Sequence, residues 1–209
     1  KDKVRKRNRM RSILSLQRDL ILKEYRNGDF LFRDGDDGDS LFIVKEGKVA
    51  IEANGKHVLS ATPGNIIGEH AMLTRQPRNC TALCDEKTGC IVHQFLGQKL
   101  RVLMEEAPYI ETTLKEMCIR RDFKKAVVLR LNKEFPYDNP REAFDAIQAG
   151  DSEFLDAASV GPLMRMLHPY TDEEVDEIIR TIDLNHSGSI SYDEFKTVFV
   201  ANRRESDSM

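Results

Sequence analysis

Twelve residues near the C-terminal end, 183–194 (DLNHSGSISYDE), constrain the fold of this chain more than any other segment. Gly188 at position 6 allows a sharp turn of the backbone, and the apolar Ile190 at position 8 suits a short buried strand. Oxygen-bearing residues occupy positions 1, 3, 5, 7, 9 and 12, namely Asp183, Asn185, Ser187, Ser189, Ser191 and Glu194. The spacing predicts a closed loop whose oxygen atoms converge on one point.

Helical patterns flank this loop on both sides. Apolar residues recur with a 3.6-residue period in two expected helix pairs, 141–149 with 158–167 and 171–182 with 192–201. Thr171 and Glu174 have the spacing of a capping box at the start of the third helix. Residues 140–200 therefore resemble an EF-hand pair, a family of paired helix–loop–helix modules that bind calcium.

The resemblance implies that the six oxygen-bearing residues are Ca²⁺ ligands, with a backbone carbonyl from Ser189 and both carboxylate oxygens from Glu194. Asp183 and Glu194 are the only carboxylates among the six. Fewer charges attract a divalent ion less strongly, so we expect a Kd of about 10⁻⁶ to 10⁻⁴ M or partial competition by Mg²⁺. The alternative is a surface loop with incidental acids.

The partner hand departs from the pattern. Placing Leu155 opposite Ile190 sets its loop at residues 148–159. Positions 1, 3 and 12 are then Gln148, Gly150 and Ser159, and none of them is a carboxylate. We expect this first hand to bind no metal and to serve as the packing partner that covers the apolar face of the second.

The first half of the chain has the pattern of a strand-rich domain. Short apolar stretches between residues 22 and 95 alternate with turn residues, and Asn54-Gly55 is a strong hairpin signal. From residue 97 the period becomes helical, and Pro136 and Pro140 mark a linker. The predicted fold class is α+β, a jelly-roll-like β-roll with flanking helices followed by an all-α EF-hand pair.

Residues 68–80 (GEHAMLTRQPRNC) interrupt the strand pattern with a short helical turn. The first amides of that turn, near Ala71 and Met72, would have no partner within the helix and would attract an anion. The guanidinium of Arg78 can bond two phosphate oxygens, and Glu69 can accept a hydrogen bond from a hydroxyl. The segment therefore predicts an anion site beside a hydroxyl acceptor.

Residues 28–82 resemble the cyclic-nucleotide-binding domain of kinase regulatory subunits, gated channels and bacterial transcription regulators. The resemblance rests on the glycine turns around the apolar strand 41–44, on Gly68 with Glu69, and on Arg78 ten residues after Gly68. It implies that cAMP or cGMP contacts Gly68, Glu69, His70, Ala71, Met72, Arg78 and Asn79. His70 stands where the family usually has an aliphatic residue. Asn79 stands where kinase and channel relatives often have Ala or Thr, a position that bears on the preference for cAMP or cGMP, so the choice of nucleotide stays open.

The resemblance also implies that the helix at 109–132 is a lid whose Leu114, Met117, Arg120 and Arg121 reach the base; an ordinary packing helix is the alternative. The predicted domains are a basic segment at 1–11, a cyclic-nucleotide-binding domain with its lid helix at 12–134, a linker at 135–140, an EF-hand pair at 141–201 and a polar tail at 202–209.

Composition excludes several classes of protein. A net charge of −3 gives no general attraction for nucleic acid, and no apolar run approaches the roughly 20 residues of a membrane span. The four cysteines have no zinc-site spacing, so we expect free thiols in a reducing compartment. We therefore expect a cytoplasmic protein, with an organellar or axonemal assembly as the alternative, and the start at Lys1 suggests a fragment or processed form.

The expected function is that of a non-enzymatic regulatory module. No nucleophile with a paired base and no phosphate-binding glycine loop of the kinase or nucleotidase type is present in the sequence. We expect a cyclic nucleotide and Ca²⁺ to act on a protein partner or a larger assembly. The alternative is a structural accessory subunit of a large complex whose nucleotide site is vestigial.

Overall fold

The computed structural model describes residues 20–132, 139–150 and 152–200. The predicted basic segment 1–11, linker residues 135–138 and the tail 202–209 lie outside the described residues. Leu20 is the first described residue and begins the first strand.

Eight strands of the described chain form two four-stranded sheets. The first sheet has the order β1-β8-β3-β6, and its strands are β1 (Leu20–Tyr25), β8 (Cys90–Leu96), β3 (Ser40–Glu46) and β6 (Ile66–Ile67). The second has the order β2-β7-β4-β5, with β2 (Phe30–Phe32), β7 (Thr81–Cys84), β4 (Val49–Ala53) and β5 (Lys56–Ala61). The pairs β1–β8, β3–β8 and β3–β6 are antiparallel, as expected for a β-roll.

The predicted hairpin between β4 and β5 is confirmed. Asn54 and Gly55 both have positive φ, 50° and 72°, which is the backbone of a two-residue turn that follows the twist of its strands. The alternation of the strands buries Val44, Val49 and Val92 almost completely. The β-roll therefore has an apolar interior with its turns at the ends of the strands.

Seven helices of the described chain complete the fold. Three follow or interrupt the strands: α1 (Glu69–Thr74), α2 (Gly97–Glu106) and α3 (Pro108–Leu131). Four form the C-terminal pairs: α4 (Pro140–Asp145), α5 (Ala157–Met164), α6 (Asp172–Ile182) and α7 (Tyr192–Val200). The predicted α+β class is confirmed, although α4 and α5 end earlier than predicted. Among the described helices none combines the length and the apolar character needed to cross a bilayer.

The predicted pairing of the two hands is present. Leu155 and Ile190 form an antiparallel bridge, with N–H···O distances of 2.9 Å and 2.8 Å in the two directions. Thr171 and Glu174 make both hydrogen bonds of the predicted capping box at the start of α6. These contacts fix the two loops of the EF-hand pair side by side.

The chain divides by contacts into two compact units. The first contains Lys1–Ala50 and Ala61–Thr112, and the second contains Ile51–Ser60 and Thr113–Met209, in so far as these residues are described. Most of α3 therefore falls within the second unit, whereas the predicted boundary placed it in the domain at 12–134. The reason is that the apolar face of α3 is covered by the C-terminal helices.

The core of the second unit shows this packing directly. Phe123 and Val127 of α3 are completely buried in one cluster with Phe144 of α4 and Phe195 of α7. The rings of Phe123 and Phe195 meet edge to face, with centroids 6.0 Å apart, and those of Phe144 and Phe195 with centroids 5.3 Å apart. The EF-hand pair thus uses α3 as a fifth helix of its core.

The expectation of four free thiols is wrong for two of them. Cys84 at the end of β7 and Cys90 at the start of β8 form a disulfide bond, with Cα atoms 5.8 Å apart. Cys80 and Cys118 are in no disulfide. A short turn brings the ends of two strands from different sheets together, and the spacing of the cysteines in the sequence does not reveal this adjacency.

Candidate functional site

The short helix α1 lies between two residues with left-handed backbones. Gly68 precedes it with φ 79° and Arg75 follows it with φ 56°. Glu69, Ala71 and Met72 are buried, whereas His70 is partly buried. The left-handed backbones of Gly68 and Arg75 limit the helix to six residues, and the buried residues of this helix lie in its first turn.

The guanidinium of Arg78 is held inside the β-roll. Arg78 is 5% exposed, and its Nη1 donates to the carbonyl of Gly68 at 2.6 Å, while its Nη2 donates to the carbonyl of Ser40 at 2.7 Å. The guanidinium carbon lies 4.4 Å from the centroid of the Phe32 ring. Burial lowers the pKa of Arg78, and the nearby carboxylate of Glu69, among others, opposes that shift.

Two glycines make room for this side chain. A Cβ atom on Gly38 would lie 2.9 Å from Arg78 Cζ and 2.5 Å from the Cβ of Ala71. A Cβ atom on Gly68 would lie 2.6 Å from Arg78 Nη1. Real Cβ atoms do not approach other atoms so closely, so both positions require glycine as long as Arg78 stays where it is.

The donors of Arg78 fit an anion. A guanidinium has five N–H groups, and two of its nitrogen atoms already donate to carbonyls. Its Nε is buried and has no hydrogen-bond partner among the described residues. A phosphate oxygen would supply the missing acceptor at Nε, while the carbonyl groups of Gly68 and Ser40 already accept from Nη1 and Nη2.

The structure therefore brings most of the predicted cradle together, in the form of Gly68, Glu69, Ala71 and Arg78. Asn79 follows Arg78 and is partly buried. Thr74 Oγ1 lies 3.5 Å from His70 Nδ1, on the exposed side of α1. Sequence reasoning missed three contributors: Phe32, Gly38 and Ser40. Only Gly38 stood in the glycine pattern, and nothing in the sequence marks a stacking ring or a carbonyl acceptor.

The second loop of the EF-hand pair closes around Asp183. Its Oδ1 accepts a hydrogen bond from Ser187 N at 3.1 Å and its Oδ2 one from Gly188 N at 2.7 Å. Asn185 Oδ1 also accepts from Ser187 N, at 2.9 Å. Gly188 has φ 88°, as its predicted role at the sharp turn requires.

Glu194 joins both ends of the same loop. Its Oε1 accepts from the amides of Leu184 at 2.8 Å and Asn185 at 3.1 Å, and its Oε2 from Ser191 N at 2.9 Å and Ser191 Oγ at 2.7 Å. Burial by itself would raise the pKa values of Asp183 and Glu194, but these hydrogen bonds outweigh it and lower both. Both carboxylates are therefore ionised at neutral pH.

The oxygen set fits a hard cation. Two ionised carboxylates stand in the loop with the amide oxygen of Asn185, and Ser187 Oγ donates to the carbonyl of Ser189 at 3.0 Å. Because Glu194 already accepts four hydrogen bonds, its carboxylate would have to exchange some of them for a metal ion. In residues 20–132, 139–150 and 152–200, no group of three or more His, Cys, Asp or Glu is placed to hold a metal.

In the first loop, a serine stands at position 12, where the second loop has Glu194. Ser159 Oγ accepts from Ala149 N at 2.9 Å, which links positions 12 and 2 just as Glu194 links to Leu184 in the second loop. Gln148 Nε2 donates to the carbonyl of Ser152 at 2.6 Å. A hydroxyl thus makes the hydrogen bond that the glutamate makes in the second loop, and the expectation that this hand binds no metal stays a prediction.

Three of the four residues expected to reach the nucleotide base line a cavity of the second unit. Met117, Arg120 and Arg121 face a cavity of about 440 Å³ in the second unit, together with Ile182 and Leu184 near the second loop. Leu114 is buried. The predicted contact of these side chains with a nucleotide base stays a prediction.

Comparisons with known proteins agree with both motifs. Residues 22–107 match the family model of the cyclic nucleotide-binding domain, and residues 139–200 match that of the EF-hand domain pair. The chain is 32% identical over 105 residues to a cAMP-dependent protein kinase regulatory subunit of Debaryomyces hansenii. The matched region covers 50% of this chain and 22% of that protein. The chain is also 32% identical over 72 residues to a cGMP-dependent protein kinase of Toxoplasma gondii. This second matched region covers 34% of this chain and 7% of that protein.

Among solved structures, the regulatory domain of Toxoplasma gondii PKA with cAMP is similar at a TM-score of 0.44 and 22% identity, covering 49% of this chain and 40% of that one. This chain spans less than a quarter of the length of the two curated relatives. The sequence motifs, the β-roll and the two family matches agree, so residues 22–107 are a cyclic nucleotide-binding domain and residues 139–200 are an EF-hand domain pair.

Proposed function

We propose that this chain is a non-enzymatic regulatory module that binds a cyclic nucleotide and Ca²⁺ and passes both signals to a protein partner or a larger assembly. Its two domain types are regulatory rather than catalytic. The observation that carries the proposal is the position of α3. This helix begins at Pro108, directly after the matched nucleotide-binding segment, and buries Phe123 and Val127 completely in the core of the EF-hand pair.

The nucleotide half of the proposal rests on the donor set of Arg78. Its buried Nε–H and the remaining N–H groups would bond the exocyclic phosphate oxygens, and Glu69 would accept a hydrogen bond from the ribose. Relatives named for both cAMP and cGMP are similar to this segment, so the proposal covers either nucleotide.

The calcium half rests on the second loop. Asp183 and Glu194, both ionised, would hold the ion with the oxygen atoms of Asn185, Ser187 and Ser189, and Ca²⁺ would supply the charge that draws the loop together. Ser191 would contribute indirectly, because its side chain orients the carboxylate of Glu194.

The coupling between the two sites is supported by the position of α3. A change in the packing of α6 and α7 around the second loop would act on Phe123, because this side chain contacts Phe195 directly. By thermodynamic linkage, any effect of Ca²⁺ on nucleotide affinity must equal the effect of the nucleotide on Ca²⁺ affinity.

Isothermal titration calorimetry of the chain with cAMP and cGMP, each with Ca²⁺ or with a chelator, tests all three parts. We expect Arg78→Lys to weaken nucleotide binding by at least about tenfold, because an ammonium group cannot bond two phosphate oxygens in the same way. Arg75→Lys, in the same segment but exposed, is the matched control and should bind as the wild type does. Equal nucleotide affinity with and without Ca²⁺ would remove the coupling and leave two independent sites.

One observation favours a second function. The guanidinium of Arg78 is already packed against Phe32 and bonded to two backbone carbonyls, which is also what a bracing residue in a vestigial site would do. A structural accessory subunit of a large complex is therefore the second candidate. It predicts that neither nucleotide raises the melting temperature of the chain, whereas a functional site at a ligand concentration of 100 Kd gains about 2.7 kcal/mol. The cytoplasmic, organellar or axonemal location stays a prediction.

A further inference from the structure

The last turn of α6 leads directly into the second metal loop, and one of its carbonyl groups has a partner on another helix. In a continued helix, the carbonyl of Thr181 would accept from the N–H of Asn185, four residues later. That N–H donates instead to Glu194 Oε1, at 3.1 Å, as part of the closed loop. Arg120 of α3 supplies a replacement, because its Nη2 donates to the carbonyl of Thr181 at 3.3 Å. A side chain of α3 therefore completes the end of α6.

The guanidinium of Arg120 suits this place electrostatically. The C-terminal end of a helix carries a partial negative charge, so a cation there is favourable, and a charged donor makes a stronger hydrogen bond than a neutral one. Glu116, one turn earlier on α3, lies 4.0 Å from the same Nη2 and favours this direction of the side chain. Since the side chain of Arg120 is 43% exposed, water weakens both contacts. We therefore expect Arg120 to orient the end of α6 rather than to stabilise the whole unit.

The contact lies two residues before the first ligand position of the loop. Asp183 occupies that position and is 3% exposed, and its carboxylate accepts from the N–H groups of Ser187 and Gly188. A shift of the last turn of α6 displaces Asp183, because only a few backbone dihedrals separate it from Thr181. Partners that orient metal ligands from outside the ligand shell typically change metal affinity by about 10- to 100-fold. The position of Arg120 thus bears on how well the loop fits a cation.

We propose that Arg120 is a positioning residue of the second metal loop. By bonding the carbonyl of Thr181 it holds Asp183 where that residue meets a cation, and it makes the Ca²⁺ affinity of the loop depend on α3. This inference deepens the calcium half of the proposed function and rests on it. It adds a polar contact at the entrance of the loop to the aromatic contact between Phe123 and Phe195 in the core.

Two roles of Arg120 predict opposite changes in Ca²⁺ affinity. A cation that only contributes charge near the loop repels Ca²⁺, so its removal strengthens binding. A positioning residue helps the loop to bind, so its removal weakens binding. Arg180, in the last turn of α6, is exposed and lies three residues before Asp183. Arg180→Met removes a positive charge from the end of α6 and leaves the bond between Arg120 and Thr181 in place, which makes it the matched control.

Isothermal titration calorimetry of the full chain with CaCl₂, without nucleotide, measures the effect. We expect Arg120→Ala to weaken Ca²⁺ binding by about tenfold and Arg180→Met to bind at least as tightly as the wild type. Arg120→Lys should recover most of the affinity, because a single hydrogen bond from a cation does not require a planar fork. In a chelator, hydrogen exchange in peptides that cover residues 179–187 should be about five- to tenfold faster in Arg120→Ala and unchanged in Arg180→Met.

Two results would overturn the proposal. The first is a Ca²⁺ affinity of Arg120→Ala that equals or exceeds that of the wild type, and the second is unchanged exchange at the end of α6 in the same variant. The exchange measurement needs no metal. If the wild-type chain binds no Ca²⁺, the calcium half of the proposed function fails, and the exchange rates alone decide whether Arg120 holds the loop in position. Circular dichroism checks that each variant folds, and Arg120→Gln replaces Arg120→Ala if the latter does not.

Discussion

The buried ring of Phe123 offers the most direct test of the role of α3. Phe123 is completely buried in the core of the second unit, and truncating such a side chain to alanine costs about 3 to 5 kcal/mol. The edge-to-face contact with Phe195 contributes about 0.5 to 1.5 kcal/mol beyond the buried area. We therefore expect Phe123→Ala to fall in the upper half of the range.

Hydrogen exchange followed by mass spectrometry measures this loss where it occurs. A loss of about 4 to 5 kcal/mol, the upper half of that range, corresponds to exchange faster by about 10³-fold to 5 × 10³-fold in peptides of α6 and α7. Peptides from β1 and β8 should exchange as in the wild type, because they belong to the first unit. The matched control is Tyr109→Ala on the same helix, since Tyr109 is 67% exposed and its loss should change stability by no more than about 0.5 kcal/mol.

The reasoning is refuted if α6 and α7 exchange at wild-type rates in Phe123→Ala. That result would mean that α3 is not part of the EF-hand core in solution, and the proposed route of coupling would have no physical carrier. Faster exchange spread evenly over both units would contradict the division of the chain into separately stabilised parts.

Three further experiments test other parts of the structure. Gly68→Ala should cost more stability in urea denaturation than Gly64→Ala, because both have left-handed backbones but only Gly68 lies against a guanidinium; equal costs would place that side chain elsewhere. Alkylation of the unfolded, unreduced chain should modify two of its four cysteines, with Cys84 and Cys90 protected, and four modified residues would show that the disulfide does not form. The pKa of Glu194 is lower in the folded than in the unfolded state, so its contribution to stability is complete above about pH 4.5 and is lost as the pH falls through the lowered value. Glu194→Gln should flatten this dependence in urea midpoints between pH 3 and 6, and an unchanged slope would assign the dependence to other groups.

Much of the local structure could be predicted because it depends on short-range rules. The turn at Asn54-Gly55, the capping box of α6 and the bridge between Leu155 and Ile190 follow from glycine conformations, side-chain capping and the regular spacing of a loop. The positive φ of Gly188 is a case of the same kind. In each case, residues within one loop or one turn carry the information.

Contacts between distant segments could not be predicted in this way. The disulfide between Cys84 and Cys90 depends on how two sheets end, and the carbonyl of Ser40 reaches Arg78 from 38 residues away in the sequence. The sequence left open whether the helix at 109–132 is a lid or an ordinary packing helix, and it did not show which surface the helix packs against. A helix has the same apolar spacing whether it packs on a β-roll or on other helices.

The amino-acid sequence alone determined that this chain joins a β-roll with glycine turns to a pair of helix–loop–helix modules. Both features depend on residues close together in the sequence: glycines with positive φ at the turns, and oxygen-bearing residues at fixed spacing in one loop. Only the tertiary structure decided that Phe123 enters the core of the second unit, that Arg78 donates to two backbone carbonyls, and that Lys124 is buried beside a cavity. Such placements depend on which apolar surfaces meet and on how much water they exclude, and these are properties of the whole packed chain rather than of any one segment.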